Sequence, residues 1–338
     1  MDGSLSSSLL AADEEREQQI AQVRSWGGAN SDAVLDPLSN AFYSKGIEGF
    51  IGYRAVNDSL VVIGEPIAPV ESQLQLVEAF HEACHQKGKL PLYVGASDAL
   101  RSLLMGRYCQ VSLEFGYELQ LDPHDDPKAK SGVYASLLRR KVRQAQKEGV
   151  AVMEYRADLA ASLEEQLVQV GERWLARRQG PQIHLSHPRL FQERLGKRWF
   201  YAQVDGEPCG VVQLHQIATF EGWLINYLMV DESAPHGTPE LLISEVLEQL
   251  ASEGCHWASF GYVAGEELGS INGLGSLQSW FIRNLFQLAR HLFPMVGSSK
   301  FWKKFAPRKS SSYLLFSRSH LGLKEMKALK QALNVSLR

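Results

Sequence analysis

The sequence predicts a mixed α/β fold, with α+β mixed sheets, in which antiparallel hairpins combine with helices in two successive units. Of its 338 residues, 45% are apolar and 22% are charged, the balance of a globular protein. Hairpin signals occur in both halves, at Asn57-Asp58 and at Asp205-Gly206, each between two apolar runs. Strand and helix patterns do not alternate regularly, which argues against a doubly wound parallel sheet.

The elements follow in order from these patterns. Residues 1–30 predict a separate polar helix that Gly27 and Gly28 end. The first unit, 31–130, has strand patterns at 49–56, 59–66, 90–96 and 111–122 and helix patterns at 71–88 and 98–108. A polar, proline-containing stretch at 122–132 predicts a linker. The second unit, 131–338, has helix patterns at 134–149, 163–180, 238–250 and 279–293 and strand patterns at 150–156, 198–204, 209–217, 222–230, 256–263 and 311–316.

Targeting signals and disulfides are not predicted. The N-terminus has no basic start and no apolar run, and no apolar stretch reaches about 18 residues, so neither a secretory signal nor a membrane span is expected. The four cysteines lie far apart without a CxxC pair, which predicts free thiols in a reducing compartment. We therefore expect a cytoplasmic protein.

Charge is distributed unevenly along the chain. Residues 1–130 hold 10 basic and 19 acidic side chains, whereas residues 131–338 hold 25 basic and 19 acidic ones. A basic C-terminal part is typical of a protein that binds an anionic partner, such as nucleic acid, phospholipid or a phosphorylated cofactor. An uneven surface charge without a partner is the alternative.

The string HEACH at 81–85 matches the H-E-x-x-H zinc-protease pattern on a predicted helix. The longer form of that motif needs a histidine at position 91, which is proline here. Helical periodicity buries Val77, Phe80 and Cys84 and leaves His85 near the helix end. We therefore interpret the match as a coincidence and predict no metal site.

Three segments carry positive charge in a pattern that suits anionic ligands. The helix at 134–148 carries Arg139, Arg140, Lys141, Arg143 and Lys147, either a phosphate-binding stripe or a solvated face. The segment at 279–294 is a basic aromatic helix, which favours a core helix over one lying in a membrane interface. The string KFWKKFAPRK at 300–309 interleaves cations with aromatics, which suits phosphate contact with stacking on bases.

The segment APHGTPELL, 234–242, predicts a loop that opens a helix. Thr238 can cap the helix, Pro239 suits its first position and Glu240 suits the positive end of its dipole. A coenzyme A loop needs several backbone N–H groups around a pyrophosphate. Here one glycine is followed by a proline without an N–H and by a carboxylate, so coenzyme A is disfavoured.

These residues together resemble the family of the C-terminal catalytic domain of phosphatidylglycerol lysyltransferases (DUF2156). The chain is similar to the family's "aP-x-G-T-x-E-L-L-I" segment, and four other pieces agree in order. The matching segments are GEP at 64–66, RRKVRQAQKEGV at 139–150, Trp174 with Arg177, SAPHGTPELLISEVLEQLASEG at 233–254 and KFWKKFAPRKSSSY at 300–313.

The resemblance implies two tandem acetyltransferase-type (GNAT-like) domains, the second of which carries the active site. It implies transfer of an amino acid from aminoacyl-tRNA to a lipid hydroxyl, without a cofactor or metal, at the inner face of the membrane. The expected partners are the tRNA 3′ end and an anionic phospholipid surface. The resemblance implies Glu240 and Lys304 as catalytic residues. The substrate-binding residues implied are Arg140, Arg143, Trp174, Arg177, Asn226, Tyr227, Gly237, Thr238 and Tyr313.

One departure leaves two other interpretations open. Where the lysyltransferases have D-L-M-R before the loop, this chain has Tyr227, Leu228, Met229 and Val230, so an acid and an arginine are missing. A non-catalytic lipid- or RNA-binding relative would explain that loss. An acyl-CoA-dependent N-acyltransferase would keep the fold but need a phosphate loop.

Overall fold

The computed structural model describes residues 3–157, 161–177, 189–292 and 300–333 and confirms the mixed α/β class. The strands are β1 Asn40–Phe42, β2 Ile51–Val56, β3 Ser59–Ile63, β4 Leu90–Ala96, β5 Val111–Leu121, β6 Ala151–Glu154, β7 Lys197–Val204, β8 Glu207–Ile217, β9 Gly222–Val230, β10 Ala258–Ala264, β11 Ile271–Asn272 and β12 Arg308–Phe316. The helices are α1 Gly3–Trp26, α2 Val70–Gln86, α3 Asp98–Leu104, α4 Val133–Lys147, α5 Ala161–Arg177, α6 Thr238–Ser252, α7 Ser276–Leu292 and α8 Leu323–Ala332.

One continuous sheet runs through both predicted units. Its order is β1-β2-β3-β4-β12-β5-β10-β9-β8-β7-β6, with β11 pairing off this path on β5. Each half contains the same succession, an antiparallel pair, a helix and a strand parallel to the second strand of that pair. These are β2-β3-α2-β4 and β8-β9-α6-β10. The repeat is consistent with the tandem division, which stays a prediction.

The C-terminal segment completes the first half of the sheet. Strand β12 lies between β4 and β5 and is antiparallel to both, and α8 packs on β2 and β3. The predicted boundary at residue 130 therefore does not divide the chain into two sets of residues that contact only each other, because residues 308–332 pack with residues 31–130. No local pattern signals this insertion, since a strand's partners are set by the whole topology.

Apolar alternation along the strands places a core on each face of the sheet. In the second half, one face packs against α4, α6 and the turn Lys303–Phe305, and the other face packs against α5. In the first half, α2 and α3 cover one face, and α7 and α8 cover the other. The predicted burial of Val77, Phe80 and Cys84 on α2 is confirmed. The four cysteines are free, as predicted.

One predicted helix ends earlier than expected, and two others reach the limit of the described residues. Helix α3 ends at Leu104 rather than at 108, because Gly106 has a positive φ of 80°. The predicted helices reaching 180 and 293 end, within the described residues, at Arg177 and Leu292, and positions 178–180 and 293–294 lie outside them. The interpretation of the 279–294 segment as a core helix is wrong for one of its faces, since Trp280 and Phe281 are 63% and 56% exposed.

Candidate functional site

The loop between β9 and α6 is shaped by its contact with α4. Gly237 has φ 96°, and a Cβ atom there would lie 2.1 Å from the carbonyl oxygen of Lys141. Only glycine permits this approach and this conformation. Gly237 is the N-cap of α6, and no side chain caps the helix. The predicted cap was therefore misplaced: Thr238 instead donates from Oγ1 to the carbonyl of Pro235 at 2.7 Å, which closes the turn.

Glu240 and Lys304 form a buried ion pair. Oε1 of Glu240 lies 2.5 Å from Nζ of Lys304, and the two side chains are only 8% and 9% exposed. Nζ also lies 4.1 Å from the ring centroid of Phe301. The pair connects the first turn of α6 to the turn Lys303–Phe305, and each charge compensates the other away from water. The two residues that the sequence predicts as catalytic are thus brought together across 64 positions.

The basic residues of α4 divide into two groups. Arg140 and Arg143 are exposed on the outer side of the helix. Arg139 instead donates to the carbonyls of Lys128 and Lys130 at 2.6 and 2.9 Å, which ties the linker to α4. Only part of the predicted stripe is therefore available to a phosphate.

Helix α5 holds the acidic residues that follow β9. Arg173 binds both carboxylate oxygens of Asp231, the shortest distance being 2.6 Å. Arg177, predicted to bind substrate, is 58% exposed and pairs with Glu232 at 2.6 Å. Trp174 packs partly buried in the α5 core. The arginine of α5 with the more buried partner is Arg173, which the sequence did not single out.

Asn226 and Tyr227 lie at an irregularity of β9. The register between β8 and β9 shifts beside Gln213, the residue opposite Asn226. Tyr227 packs against the α5 core, whereas Leu228 packs against the α4–α6 core. Tyr227 and Glu240 therefore lie on opposite faces of the sheet.

A buried polar chain of side chains lies beside Tyr227. Trp199 donates from Nε1 to Oε1 of Gln213 at 2.8 Å, so the Gln213 amide nitrogen faces Nε2 of His215 at 2.5 Å. This places the imidazole proton on Nδ1, which lies 2.7 Å from Oδ2 of Asp32. Asp32, Gln213 and His215 line one cavity together with Tyr227. No spacing in the sequence links Asp32 to His215, because tertiary packing alone joins them.

The charges in this chain are set by burial and by each other. Burial raises the pKa of the Asp32 carboxyl, but His215 and the ion-paired Arg24 outweigh it and hold that pKa well below its usual range. Burial lowers the pKa of His215 despite Asp32. The neutral imidazole accepts at Nε2 from the Gln213 amide, so this chain of side chains holds the wall of the cavity in place.

Two carboxylates lie near each other toward the middle of the sheet. Burial raises the pKa of Glu65 and of Glu118, and Glu118 contributes to the shift of Glu65. Glu65 accepts from the backbone N–H of Ser97 at 2.8 Å, and Glu118 accepts from Oγ of Ser259 at 2.7 Å. Among the described residues, neither carboxylate has a lysine or arginine in an ion pair. Two buried carboxylates without a cationic partner are suited to bind a cationic group of a ligand.

Tyr313 lies away from the Glu240–Lys304 pair. It is on β12 opposite Glu114 and packs in the first-half core with Tyr93 and Leu100. The Arg101 guanidinium lies 4.9 Å from its ring centroid. The predicted site residues therefore fall into four places, namely the α6 loop with Lys304, the exposed side of α4, α5 with the neighbouring β9, and the first-half core.

Two histidine motifs bear on metal binding. In HEACH, His81 lies 2.8 Å from the hydroxyl of Tyr93 through Nε2, and Glu82 accepts from Gln86, so neither is arranged as a zinc site. Elsewhere Asp122, His124 and His256 place one ligand atom each within 4.8 Å of one another on the surface, where they could hold a cation. The sequence did not predict this second group.

Comparison with solved structures and families agrees with this architecture. The C-terminal DUF2156 domain of a candidate lysylphosphatidylglycerol synthetase from Agrobacterium fabrum is 18% identical, with 96% of this chain and 98% of that chain aligned and a TM-score of 0.76. The L-PGS structure from Bacillus licheniformis is also 18% identical, with 94% and 96% aligned and a TM-score of 0.76. At these identities the likeness establishes the fold alone.

A more remote likeness is to a conserved protein of unknown function from Bacteroides thetaiotaomicron, at 9% identity over 82% of this chain and 86% of that chain, with a TM-score of 0.55. No curated protein matches the sequence. The family profile "Phosphatidylglycerol lysyltransferase, C-terminal" matches residues 33–316, most of the chain. The chain therefore belongs to the phosphatidylglycerol lysyltransferase C-terminal (DUF2156) family, as the order of its motifs predicts.

Proposed function

We propose that this protein transfers an amino acid from aminoacyl-tRNA to the hydroxyl of a phosphatidylglycerol-like lipid. The observation that carries the proposal is the family match over 33–316, which includes the loop at Gly237 and the Glu240–Lys304 pair. A transferase acting on lipid is the coarser statement that the family supports. The tRNA donor, the lipid acceptor and the residue roles are the proposed parts.

The donor phosphates would bind the basic outer side of α4. Arg140 and Arg143 are exposed, three positions apart and on the helix that packs against the Gly237 loop. A tRNA 3′ end contacts a protein through its phosphates in a salt-dependent manner. Gly237 and Thr238 would then form the backbone wall beside the terminal ribose.

In the proposed reaction the lipid hydroxyl oxygen attacks the carbonyl carbon of the aminoacyl ester. The bond between that carbon and the ribose oxygen breaks, and the ribose oxygen takes up a proton. Glu240 would accept the proton of the attacking hydroxyl, and the Lys304 ammonium would lie next to the developing oxyanion. Because the ester is already activated, the protein would contribute mainly by positioning the two substrates.

The test of the proposal is transfer of radiolabel from a mixture of charged tRNAs into the lipid extract of phosphatidylglycerol dispersed in detergent. Label in the organic phase is the expected result, and repeats with single tRNAs would identify the amino acid. Glu240→Gln and Lys304→Met are expected to lower the rate at least 100-fold. Arg107→Ala, which breaks an exposed ion pair with Glu78 in the first half, is the matched control.

Salt-dependent tRNA binding without transfer would instead favour the non-catalytic relative. Two observations make that outcome worth testing: the pattern D-L-M-R is absent at 227–230, and the Glu240–Lys304 pair is closed on itself. Transfer that requires an acyl-CoA, with charged tRNA left intact, would contradict the proposed donor.

A further inference from the structure

Helix α7 exposes an apolar face that the fold does not use. We define the α7 outer face as Leu277, Trp280, Phe281 and Leu288, which are 79%, 63%, 56% and 57% exposed. Their spacing of three, one and seven positions places them along one side of the helix. Leu321, which precedes α8, lines the same open groove as the first three.

The opposite side of α7 already supplies the packing that the helix needs. Ile282 and Phe286 contact the first-half core together with Ala328 and Leu329 of α8. The outer face is therefore an additional apolar surface, and two of its four members are large aromatics. Contiguous exposed patches of this kind mark interaction surfaces in proteins.

Positive charge borders this face on the side of α8. Within 276–292 the sequence contains no Asp or Glu, and within 318–333 it contains one, Glu325. Exposed cations on the same layer are Arg283, Arg318, Lys324, Lys327 and Lys330. This layer is thus cationic, although the whole chain has a net charge of −3 and residues 1–130 are acidic.

Helices α7 and α8 cover the same face of the first half of the sheet, and Leu321 before α8 lines the groove beside Trp280 and Phe281, so the aromatics and the lysines lie on the same side of the molecule. Apolar and aromatic side chains bordered by lysine and arginine are suited to the interface of a bilayer that contains anionic lipid. A purely protein partner would need neither the lysine border nor the charge contrast with the rest of the unit. No described helix has the length and apolar content to cross a membrane, so the face would lie on the bilayer rather than span it.

We propose that the α7 outer face, with the lysines of α8, docks this protein on the surface of an anionic lipid bilayer. Trp280 and Phe281 enter the headgroup region and Lys324, Lys327 and Lys330 contact lipid phosphates. The inference rests on the proposed function, since the proposed lipid acceptor would reside in such a bilayer. It adds a named surface and its orientation to that function.

The test is sedimentation of the whole protein with vesicles of phosphatidylcholine alone and of phosphatidylcholine with about 30% phosphatidylglycerol. We expect binding to the anionic vesicles that weakens as salt rises. The double variant Trp280→Ser with Phe281→Ser should weaken binding at least tenfold, and Lys324→Gln with Lys327→Gln and Lys330→Gln should remove most of the salt dependence. Leu195→Ser, at a leucine 57% exposed outside this layer, is the matched control.

Each contrary result has a distinct meaning. Equal binding by the aromatic variant and the wild type, or no binding of the wild type to anionic vesicles, would overturn the docking surface. A dimer in solution that Trp280→Ser with Phe281→Ser dissociates would assign the face to a second copy of the chain instead. Vesicle binding without label transfer to detergent-dispersed lipid would refute the proposed function and support the docking surface. Label transfer without vesicle binding would support the proposed function and refute the docking surface.

Discussion

At the scale of single residues, the α6 loop depends on two features that substitutions can separate. One is the close approach of Gly237 to α4, and the other is the buried charge pair of Glu240 and Lys304. Both connect segments that are far apart in sequence. Each predicts a loss of stability that can be measured without knowing the substrate.

Replacing one member of the Glu240–Lys304 pair should lower the stability of the fold. Lys304→Met leaves the Glu240 carboxylate buried without its cation, and a loss of about 3 to 5 kcal/mol in the free energy of unfolding is expected. Adding Glu240→Gln should restore much of it, because no uncompensated charge remains. Urea unfolding of the two single variants and the double variant measures the coupling, and simple additivity would show that the pair does not interact.

Gly237→Ala should be more destabilising than alanine at a glycine of similar conformation. At Gly237 a Cβ meets the Lys141 carbonyl at 2.1 Å, whereas at Gly254, with φ 78°, a Cβ meets nothing within 4 Å. Gly254→Ala should cost about 1 kcal/mol from its positive φ alone. Gly237→Ala should cost clearly more in urea unfolding, and equal losses would mean that the approach to α4 is not tight.

At the scale of elements, α2 contains a motif that matches a catalytic pattern but serves the packing of the fold. His81 belongs to the HEACH string, yet its ring lies against Tyr108 and reaches the hydroxyl of Tyr93 on β4. His85, one turn later, is exposed. The two histidines share the helix but occupy different environments.

Burial lowers the pKa of His81 to about 4 from its ordinary value of 6.5. The unfolded chain therefore binds more protons than the folded one between these values, so this contribution to stability is fully present above pH 6.5 and is lost as pH falls to about 4. The loss should be on the order of 2 kcal/mol, reduced by the partial exposure of the ring. His81→Gln should flatten the stability profile over that interval, and His85→Gln should leave it as in the wild type. A profile that His81→Gln leaves steep would assign the dependence to other groups.

At the scale of the whole molecule, the position of β12 makes the first half dependent on the C-terminal segment. Removing β12 would open a gap between β4 and β5 and expose the hydrogen-bonding edges of both strands. It would also remove α8, which covers Val61 and Leu92 in the core on that face. The two halves are therefore joined by more than the linker at 122–132.

A fragment of residues 31–130 should fail to fold by itself. Circular dichroism and two-dimensional NMR of the fragment are expected to show an unfolded or aggregated chain, and co-expression with 300–338 is expected to restore dispersed amide signals. A fragment containing 31–130 that folds without the C-terminal segment would show that β12 is dispensable. It would also favour the predicted division into separable domains.

Local sequence patterns predicted most of the elements, although not β1, β11 or α8, and identified the family. The hairpins at Asn57-Asp58 and Asp205-Gly206, the buried side of α2 and the loop that opens α6 depend on local periodicity and turn chemistry, which short stretches of chain contain in full. The motifs that identify the family are likewise contiguous strings. Glu240 and Lys304 could be named because each belongs to such a string.

Long-range packing selects which of these residues meet. It paired Glu240 with Lys304, placed Tyr227 on the other face of the sheet and set Tyr313 apart in the first-half core. It also joined Asp32 to His215 and exposed the α7 outer face, which periodicity cannot distinguish from a second buried face. Strand order and helix docking minimise exposed apolar area over the whole chain, so partners 64 or 183 positions apart are selected together and no local pattern encodes them.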